Sequence, residues 1–399
     1  MSHRLLFYSH DSFGLGHFRR SLTIASFLAR HVDDLSILML TGIDSPATFE
    51  SPRGVDFVKL PAIWKSGADQ YRSRHLRVSF QRVRRIRQHL IRGVTRAFDP
   101  AMVVVDNVPR GAGGELLATL RFLRERHPAT RIVLTLRDVL DAPDRIVPHW
   151  RRLGVYEVLE ELYDEIWVAG CQAVFDPIRL YELPPRVAAK VRFCGYVARS
   201  DTTHDLAALR RELRLTDAPL VVASCGGGGD GAPLIETFVE AVRPLLAEGL
   251  QAAVFLGPDM PVAQRRELKR RLLPLSEHVY TFDFRPDLVA FLRLAAASVS
   301  MAGYNTLSET LSLGVPALVV PRATPRLEQV LRAEAFQGHG LARVLHPDHL
   351  TPEALRGALQ EVLALPPGAA GRLPAGVDFA GRRRITRRVR RHLGIGEPA

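Results

Sequence analysis

The chain has 399 residues, 47% hydrophobic and 24% charged, with a formal charge of +12. This balance excludes a disordered or fibrous protein, and no apolar run approaches the roughly 20 residues that cross a bilayer. Of the 54 basic residues only Lys59, Lys65, Lys190 and Lys269 are lysine, an arginine skew that a GC-rich genome produces whatever the function, so net charge alone does not point to nucleic acid.

The chain opens on a strand-like run, without the basic leader and small-residue cleavage site of a secretion signal, and a cytoplasmic protein is expected. Cys171, Cys194 and Cys225 are far apart and form no CxxC pair, so each reads as a small buried residue rather than as a disulfide or metal ligand.

Taken in order, apolar runs alternate with helix-length amphipathic segments, the pattern of parallel sheets with crossover helices. Strands are predicted at Arg4 to Ser9, Leu35 to Leu40, Met102 to Asp106, Ile132 to Leu136 and Glu165 to Ala169. A second series covers Leu220 to Ser224, Ala253 to Gly257, Val279 to Phe284, Ser298 to Ala302 and Ala317 to Val320. The turn-rich passage between residues 196 and 204 reads as the junction. Expected domains are therefore 1–198, 199–376 and a C-terminal helix and tail at 377–399, in which the segment Phe379 to Leu393 can fold back across either domain.

Three loops can hold an oxygen-rich ligand. The first, Ser12-Phe-Gly-Leu-Gly-His17, lies between a strand and a helix carrying Leu22, Ala25 and Leu28 at helical spacing. Glycines there let backbone N–H groups approach a phosphate, helped by the helix N-terminus. Arg19 stands where a dinucleotide fingerprint needs glycine or alanine, and no loop ends in the Gly-Lys-Ser/Thr of a Walker motif. The second loop, Cys225-Gly-Gly-Gly-Gly-Asp-Gly231, again follows a strand. Four glycines cost up to about 1 kcal/mol each against alanine, which favours close approach of a ligand over a flexible turn.

The third, Ser300-Met-Ala-Gly-Tyr-Asn-Thr-Leu-Ser-Glu309, is a strand running into Gly303 and a short helix opening near Asn305 or Thr306. Its first-turn amides face the ligand edge of an open α/β sheet. Glu309 is expected in that first turn, either toward a ligand or as the far end of a capping box Thr306-x-x-Glu309. By residue type, Glu328 reads equally as an exposed helix residue.

Gly303-Tyr-Asn-Thr-Leu-Ser-Glu309, then Gly314-Val-Pro-Ala-Leu-Val-Val-Pro321, then Glu328-Gln329 resembles the donor half of GT-B glycosyltransferases. The likeness is to the MurG-type enzymes of glycosyltransferase family 28, which move N-acetylglucosamine from UDP to a lipid-linked acceptor. The resemblance implies two Rossmann-like α/β domains facing each other across a cleft, with a C-terminal helix able to cross back to the N-terminal domain. It implies that the N-terminal domain binds acceptor and the C-terminal domain a nucleotide sugar. Glu309 would then bond the ribose hydroxyls; Gly303, Tyr304, Asn305 and Thr306 would hold the diphosphate; and Glu328 with Gln329 would read the sugar's hydroxyls. Gly226, Gly227 and Gly228 fall at a further donor loop, and Gly14 and Gly16 at an acceptor or phosphate loop. The first loop lacks the fuller Gly-x-Gly-Gly-His of MurG-type enzymes, and their lipid-acceptor signature is not evident, which leaves the acceptor open.

The implied activity is transfer of a hexose or N-acetylhexosamine from a nucleotide sugar, UDP-linked, to an acceptor hydroxyl with inversion. The nucleotide sugar is a co-substrate and no cofactor is expected. No Asp-x-Asp clasp occurs, so helix dipole and amides are expected to carry the leaving charge without a metal. The general base is expected to be His17, with Asp106 and His10 at strand ends of the same half either competing for that role or orienting it.

From Arg72 to Phe98 there are nine arginines and no carboxylate, while Leu76, Phe80, Val83, Leu90 and Val94 form a helical stripe. A basic amphipathic helix there would hold a phosphate-bearing or lipid-linked acceptor, or lie on anionic lipid at the inner face of the membrane, or simply be solvated. Arg382 to Arg391 poses the same choice. Rival readings are a UDP-sugar 2-epimerase of the same architecture and a non-catalytic basic protein binding RNA or membrane; the basic segments lack the interleaved aromatics of a base-stacking surface, so no nucleic acid is expected.

Overall fold

The computed structural model describes residues 3–10, 16–44, 46, 51–67, 70–200, 204–366 and 371–396; Gly14 lies outside them. The chain divides into two compact units, residues 1–197 with 380–399, and residues 198–379. Each is built on one parallel sheet, as the alternating pattern requires.

In the first unit β1 (His3–Ser9), β2 (Leu35–Thr41), β3 (Val55–Lys59), β6 (Met102–Asp106), β7 (Arg131–Arg137), β8 (Glu165–Ala169) and β9 (Val191–Phe193) pair in the order β3-β2-β1-β6-β7-β8-β9. Between them β4 (Ile63–Gly67) and β5 (Gln70–Ser73) form a separate antiparallel hairpin. In the second unit β10 (Leu220–Ser224), β11 (Gln251–Phe255), β12 (Val279–Phe282), β13 (Ala297–Ser300), β14 (Ala317–Val319) and β15 (Arg343–Val344) pair in the order β12-β11-β10-β13-β14-β15. Central strands are apolar on both faces because helices cover both; Leu5 to Tyr8 and Met102 to Val105 are all buried.

Both sheets reverse direction once. The chain lays strands outward on one side of β1, then returns to place β6 on the other; β10 and β13 repeat this. Where neighbouring strands lead off in opposite directions, their C-terminal ends open a crevice, the usual ligand position in such sheets.

Seven helices carry the candidate residues or pack beside them: α1 (Gly16–His31), α2 (Phe80–Phe98), α3 (Ala232–Ala247), α4 (Tyr304–Ser312), α5 (Glu328–Gly338), α6 (Pro352–Leu363) and α7 (Gly381–His392). In the second unit Ile235, Phe238 and Val242 of α3 join Leu355 and Leu359 of α6 over Val221 and Val254 of the sheet. The C-terminal α7 belongs to the first unit and packs on α1. Its Ile385 and Val389 are buried, each contributing about 1.5–3 kcal/mol. Gly381 is required there, since a Cβ would stand 2.6 Å from the Tyr196 carbonyl oxygen.

The structure corrects several readings. β11 lies two residues earlier than predicted, because Gly257, at φ +86, turns away to pack on Gly227. The short β3, β9 and β15 escape the sequence pattern; β3 and β15 carry charged residues at their ends, as sheet edges tolerate. The basic helix begins at Phe80 rather than Arg72, because Gln70 to Ser73 is strand and Ser79 caps the helix by accepting from the Arg82 N–H. Its buried face is Val83, Arg87, Ile91 and Thr95, and Leu76 and Leu90 of the expected stripe are 48% and 39% exposed. Arg87 takes the inward position because Glu115 receives it: Nε and Nη2 each lie 2.7 Å from a Glu115 oxygen, Nη1 donates to the Pro61 carbonyl, and the Tyr8 hydroxyl completes the cluster.

Candidate functional site

In the first unit the reversal between β1 and β6 collects His10, His17 and Asp106. His10 ends the chain's run out of β1, His17 is the second residue of α1, and Asp106 closes β6. Asn107, in the left-handed region at φ 65, turns the chain immediately beyond it. Asp106 is buried and accepts from three groups: His17 Nδ1 at 2.7 Å, Thr135 Oγ1 at 3.2 Å and the Arg20 guanidinium. Burial alone would raise its carboxyl, but Arg20 and His17 beside it hold it well below the usual carboxylate range. A carboxylate can only accept, so the proton of this contact sits on His17 Nδ1 and leaves Nε2 as an acceptor.

His10 stands against this pair, its ring centroid 5.0 Å from that of His17. Burial first, then the neighbouring His17 and Lys65, push its imidazole well below the ordinary range, so it is neutral. Its buried Nδ1 has no hydrogen-bond partner among the described residues. Gly16, the glycine of the predicted first loop that falls within the described residues, opens α1 and is exposed.

In the second unit the reversal lies between β10 and β13. The loop after β10 shows why it is glycine-rich: Gly228, at φ +89, would put a Cβ 2.2 Å from the Leu256 carbonyl oxygen, and Gly227 would put one 3.0 Å from Asp259. These two glycines serve packing against the loop after β11, pinned by an Asp259 N–H to Gly227 bond of 2.7 Å. Gly226 alone, at φ +67, has open space beside it. Burial pushes the neighbouring Cys225 thiol up to about 12, so it stays protonated and is no nucleophile.

The loop after β13 gives α4 an N-terminus with no side-chain cap. Gly303 is the N-cap residue, at φ −65, and a Cβ added to it would meet nothing within 4 Å; glycine is needed there neither for packing nor for backbone angle. The helix thus opens at Tyr304, one residue before the expected start. Thr306 falls inside the first turn and Glu309 in the second, which rules out the capping box. Glu309 is instead buried, with one oxygen 2.6 Å from Arg199 Nε. Arg332 of α5 buttresses the turn from beneath, donating to the Ala302 carbonyl at 2.9 Å and lying over the Tyr304 ring.

Glu328 and Gln329 open α5, and both are buried, which corrects the reading of Glu328 as an exposed helix residue. Glu328 meets Arg322 at 3.2 Å and the Gln329 oxygen accepts from the Arg322 backbone N–H at 3.0 Å. Sequence reasoning missed Arg199, Arg322 and Arg332. Arg199 lies 110 positions from the carboxylate it serves, and no periodicity connects such residues. Among the described residues no cluster of three or more His, Cys, Asp or Glu is arranged to hold a metal ion, and no helix is long and apolar enough to cross a membrane.

Two Rossmann-like units of this kind make the GT-B class of fold. The calicheamicin glycosyltransferase CalG4 superimposes with a TM-score of 0.65 at 19% identity over 100% of both chains. A putative UDP-N-acetylglucosamine 2-epimerase from Listeria monocytogenes gives 0.65 at 13% identity over 100% of this chain and 99% of that one. Acinetobacter baumannii MurG gives 0.56 at 12% identity over 98% and 99%. At these identities the likeness is one of fold.

Within that class, residues 222–370, which lie inside the second unit, match the glycosyltransferase family 28 C-terminal domain. The chain is 38% identical over 141 residues to the UDP-N-acetylglucosamine--N-acetylmuramyl-(pentapeptide) pyrophosphoryl-undecaprenol N-acetylglucosamine transferase of Shouchella clausii, covering 34% of this chain and 37% of that protein. It is 29% identical over 178 residues to the transferase of the same name from Geobacillus thermodenitrificans, covering 43% and 47%. The match thus spans less than half the length of either of these relatives.

Proposed function

We propose that this protein is a metal-independent, inverting glycosyltransferase that moves a hexose or N-acetylhexosamine from a UDP-sugar to an acceptor hydroxyl. The observation that carries the reading is Glu309: a buried carboxylate behind an uncapped helix N-terminus at a strand-order reversal, released from any capping duty and oriented by Arg199. In this reading Glu309 takes the ribose hydroxyls, the amides of Gly303 to Thr306 take the diphosphate with the positive end of the helix dipole, Gly226 gives the ligand room, and Glu328 with Gln329 meets the sugar.

His17 acts as general base through Nε2, with Asp106 fixing its tautomer and stabilising the imidazolium that forms. The acceptor hydroxyl attacks the anomeric carbon, its proton passes to His17, and the bond to the diphosphate breaks with its electrons going to the leaving oxygen. The acceptor in this reading is phosphate-bearing or lipid-linked. Helix α2 serves it at an anionic membrane face, where a groove of about 660 Å³ is lined by Arg82, Arg85, Ile86, His89 and Leu90.

Calorimetric titration with UDP tests the donor site. Wild type is expected to bind, and Glu309→Gln to weaken binding at least about tenfold, the loss of one charge-assisted contact, with little change in Tm. A variant that loses stability yet keeps UDP would make the carboxylate structural. His17→Ala should keep UDP affinity and slow turnover by about 10² to 10⁴, and a chelator should leave turnover unchanged. Epimerisation of the UDP-sugar without an acceptor, seen by NMR, would favour the 2-epimerase reading instead.

A further inference from the structure

Arg322 follows Pro321 just beyond β14 and has no part in the proposed reaction. Its guanidinium is only 12% exposed. Nη1 lies 2.8 Å from Asp230 in the glycine-rich loop, and Nη2 lies 3.2 Å from Glu328 in the first turn of α5. Its backbone N–H donates to Gln329 Oε1 at 3.0 Å. One residue therefore joins two loops and governs both side chains that the family 28 likeness connects with the donor sugar.

Elementary hydrogen-bond chemistry then fixes what this pair can offer. An N–H can only donate, so the oxygen of Gln329 must face Arg322 and its amide nitrogen is left as a donor. The Glu328 carboxylate offers acceptors only, with one oxygen oriented by the guanidinium. An acceptor beside a donor matches adjacent hydroxyls of a neutral pyranose. A guanidinium between two carboxylates also leaves one negative charge over, so a sugar bearing its own carboxylate meets like charge and finds no uncommitted arginine in this trio.

We propose that Arg322 is a positioning residue that sets the donor-sugar subsite for neutral hexoses and N-acetylhexosamines and against hexuronates. The inference rests on the nucleotide-sugar reading, and the test separates the two. The full chain is titrated with UDP, UDP-glucose, UDP-N-acetylglucosamine and UDP-glucuronate, as wild type, Arg322→Gln, Arg322→Lys and Asp230→Asn.

Arg322→Gln should weaken the tighter neutral UDP-sugar about tenfold, the scale of a lost hydrogen bond to a charged group, while UDP itself moves less than about twofold. Arg322→Lys keeps the charge but spans only one carboxylate and should fall between; it also carries the test if the glutamine variant fails to fold. Wild type should prefer the neutral sugars to UDP-glucuronate, and Asp230→Asn, which relieves Arg322 of one carboxylate, should narrow that preference. Equal loss of UDP and UDP-sugar in both Arg322 variants, or unchanged UDP-sugar affinity, overturns the positioning role. Wild-type binding of UDP-glucuronate as tight as that of the neutral sugars overturns the specificity. A wild type that binds none of the four overturns the nucleotide-sugar reading and this inference with it.

Discussion

Helices α2 and α7 are both rich in arginine and free of carboxylates, yet they employ their arginines differently. In α7 the arginines are spent on the first unit itself: Arg388 grips Glu165 with two bonds of 2.9 and 2.8 Å, Arg390 reaches the His31 carbonyl, Arg384 the Cys194 carbonyl, and Arg382 covers the Phe27 ring. In α2 a single arginine, Arg87, goes fully inward to Glu115, while Arg82 and Arg85 stay exposed beside Ile86 and Leu90. A basic stripe is thus no guide to a basic surface. What decides is whether the elements packed against it bring carboxylates and carbonyls, and those lie far away in the chain.

The strongest way to break this contrast is at its most buried point. Arg87→Ala leaves Glu115 charged and enclosed, and should lower unfolding free energy by about 3–5 kcal/mol in denaturant melts. A loss under about 1 kcal/mol, the scale of a surface pair, would mean that the cluster is not what seats α2. Arg388→Ala, at a partly exposed pair, should cost less, about 1–2 kcal/mol by the same melts.

Acid sharpens the second half of the comparison. Burial would raise the Glu165 carboxyl, but His392, Arg388 and the Trp167 indole hold it well below the usual range. Its contribution to stability is therefore complete above the ordinary glutamate value of about 4.3 and is lost as pH falls toward the folded value. Wild type should lose stability through that interval more steeply than Arg388→Ala; parallel curves would remove α7 from the account.

The smallest effect on folding should come from the exposed arginines. Arg82→Gln with Arg85→Gln should shift stability by less than about 0.5 kcal/mol while weakening partition onto anionic vesicles about thirtyfold, at about 1 kcal/mol per arginine. Arg383→Gln with Arg387→Gln on α7 should change neither. Equal losses of vesicle binding from the two helices would erase the distinction between them.

Legibility in the sequence follows the same line. Central strands such as Leu220 to Ser224 and Met102 to Asp106 announce themselves by uninterrupted apolar residues, because both faces are covered. The edges β3 and β15 do not, since one side of an edge has no neighbour to demand apolar residues. His17, Asp106 and His10 are all legible as strand-end or helix-start residues, and their meeting follows from the order of strands rather than from any motif. Glu309 is legible as important, but its two readings separate only once Gly303 proves to be the N-cap. Arg199 is invisible because it acts on a residue 110 positions away, and Arg322 because it ties its near neighbours Glu328 and Gln329 to Asp230, 92 positions away, across turns whose geometry no local pattern encodes.

The return of α7 to the first unit has a consequence for how the molecule is made. Residues 1–197 leave the ribosome without the helix that covers α1, and the whole of 198–379 must follow before it arrives. At ordinary elongation rates that is on the order of 10 to 40 s, during which the nascent unit holds an apolar groove open while its neighbour is already free to fold. This late-arriving helix acts as a latch, and a message cut just before it would yield one sound lobe and one vulnerable to aggregation.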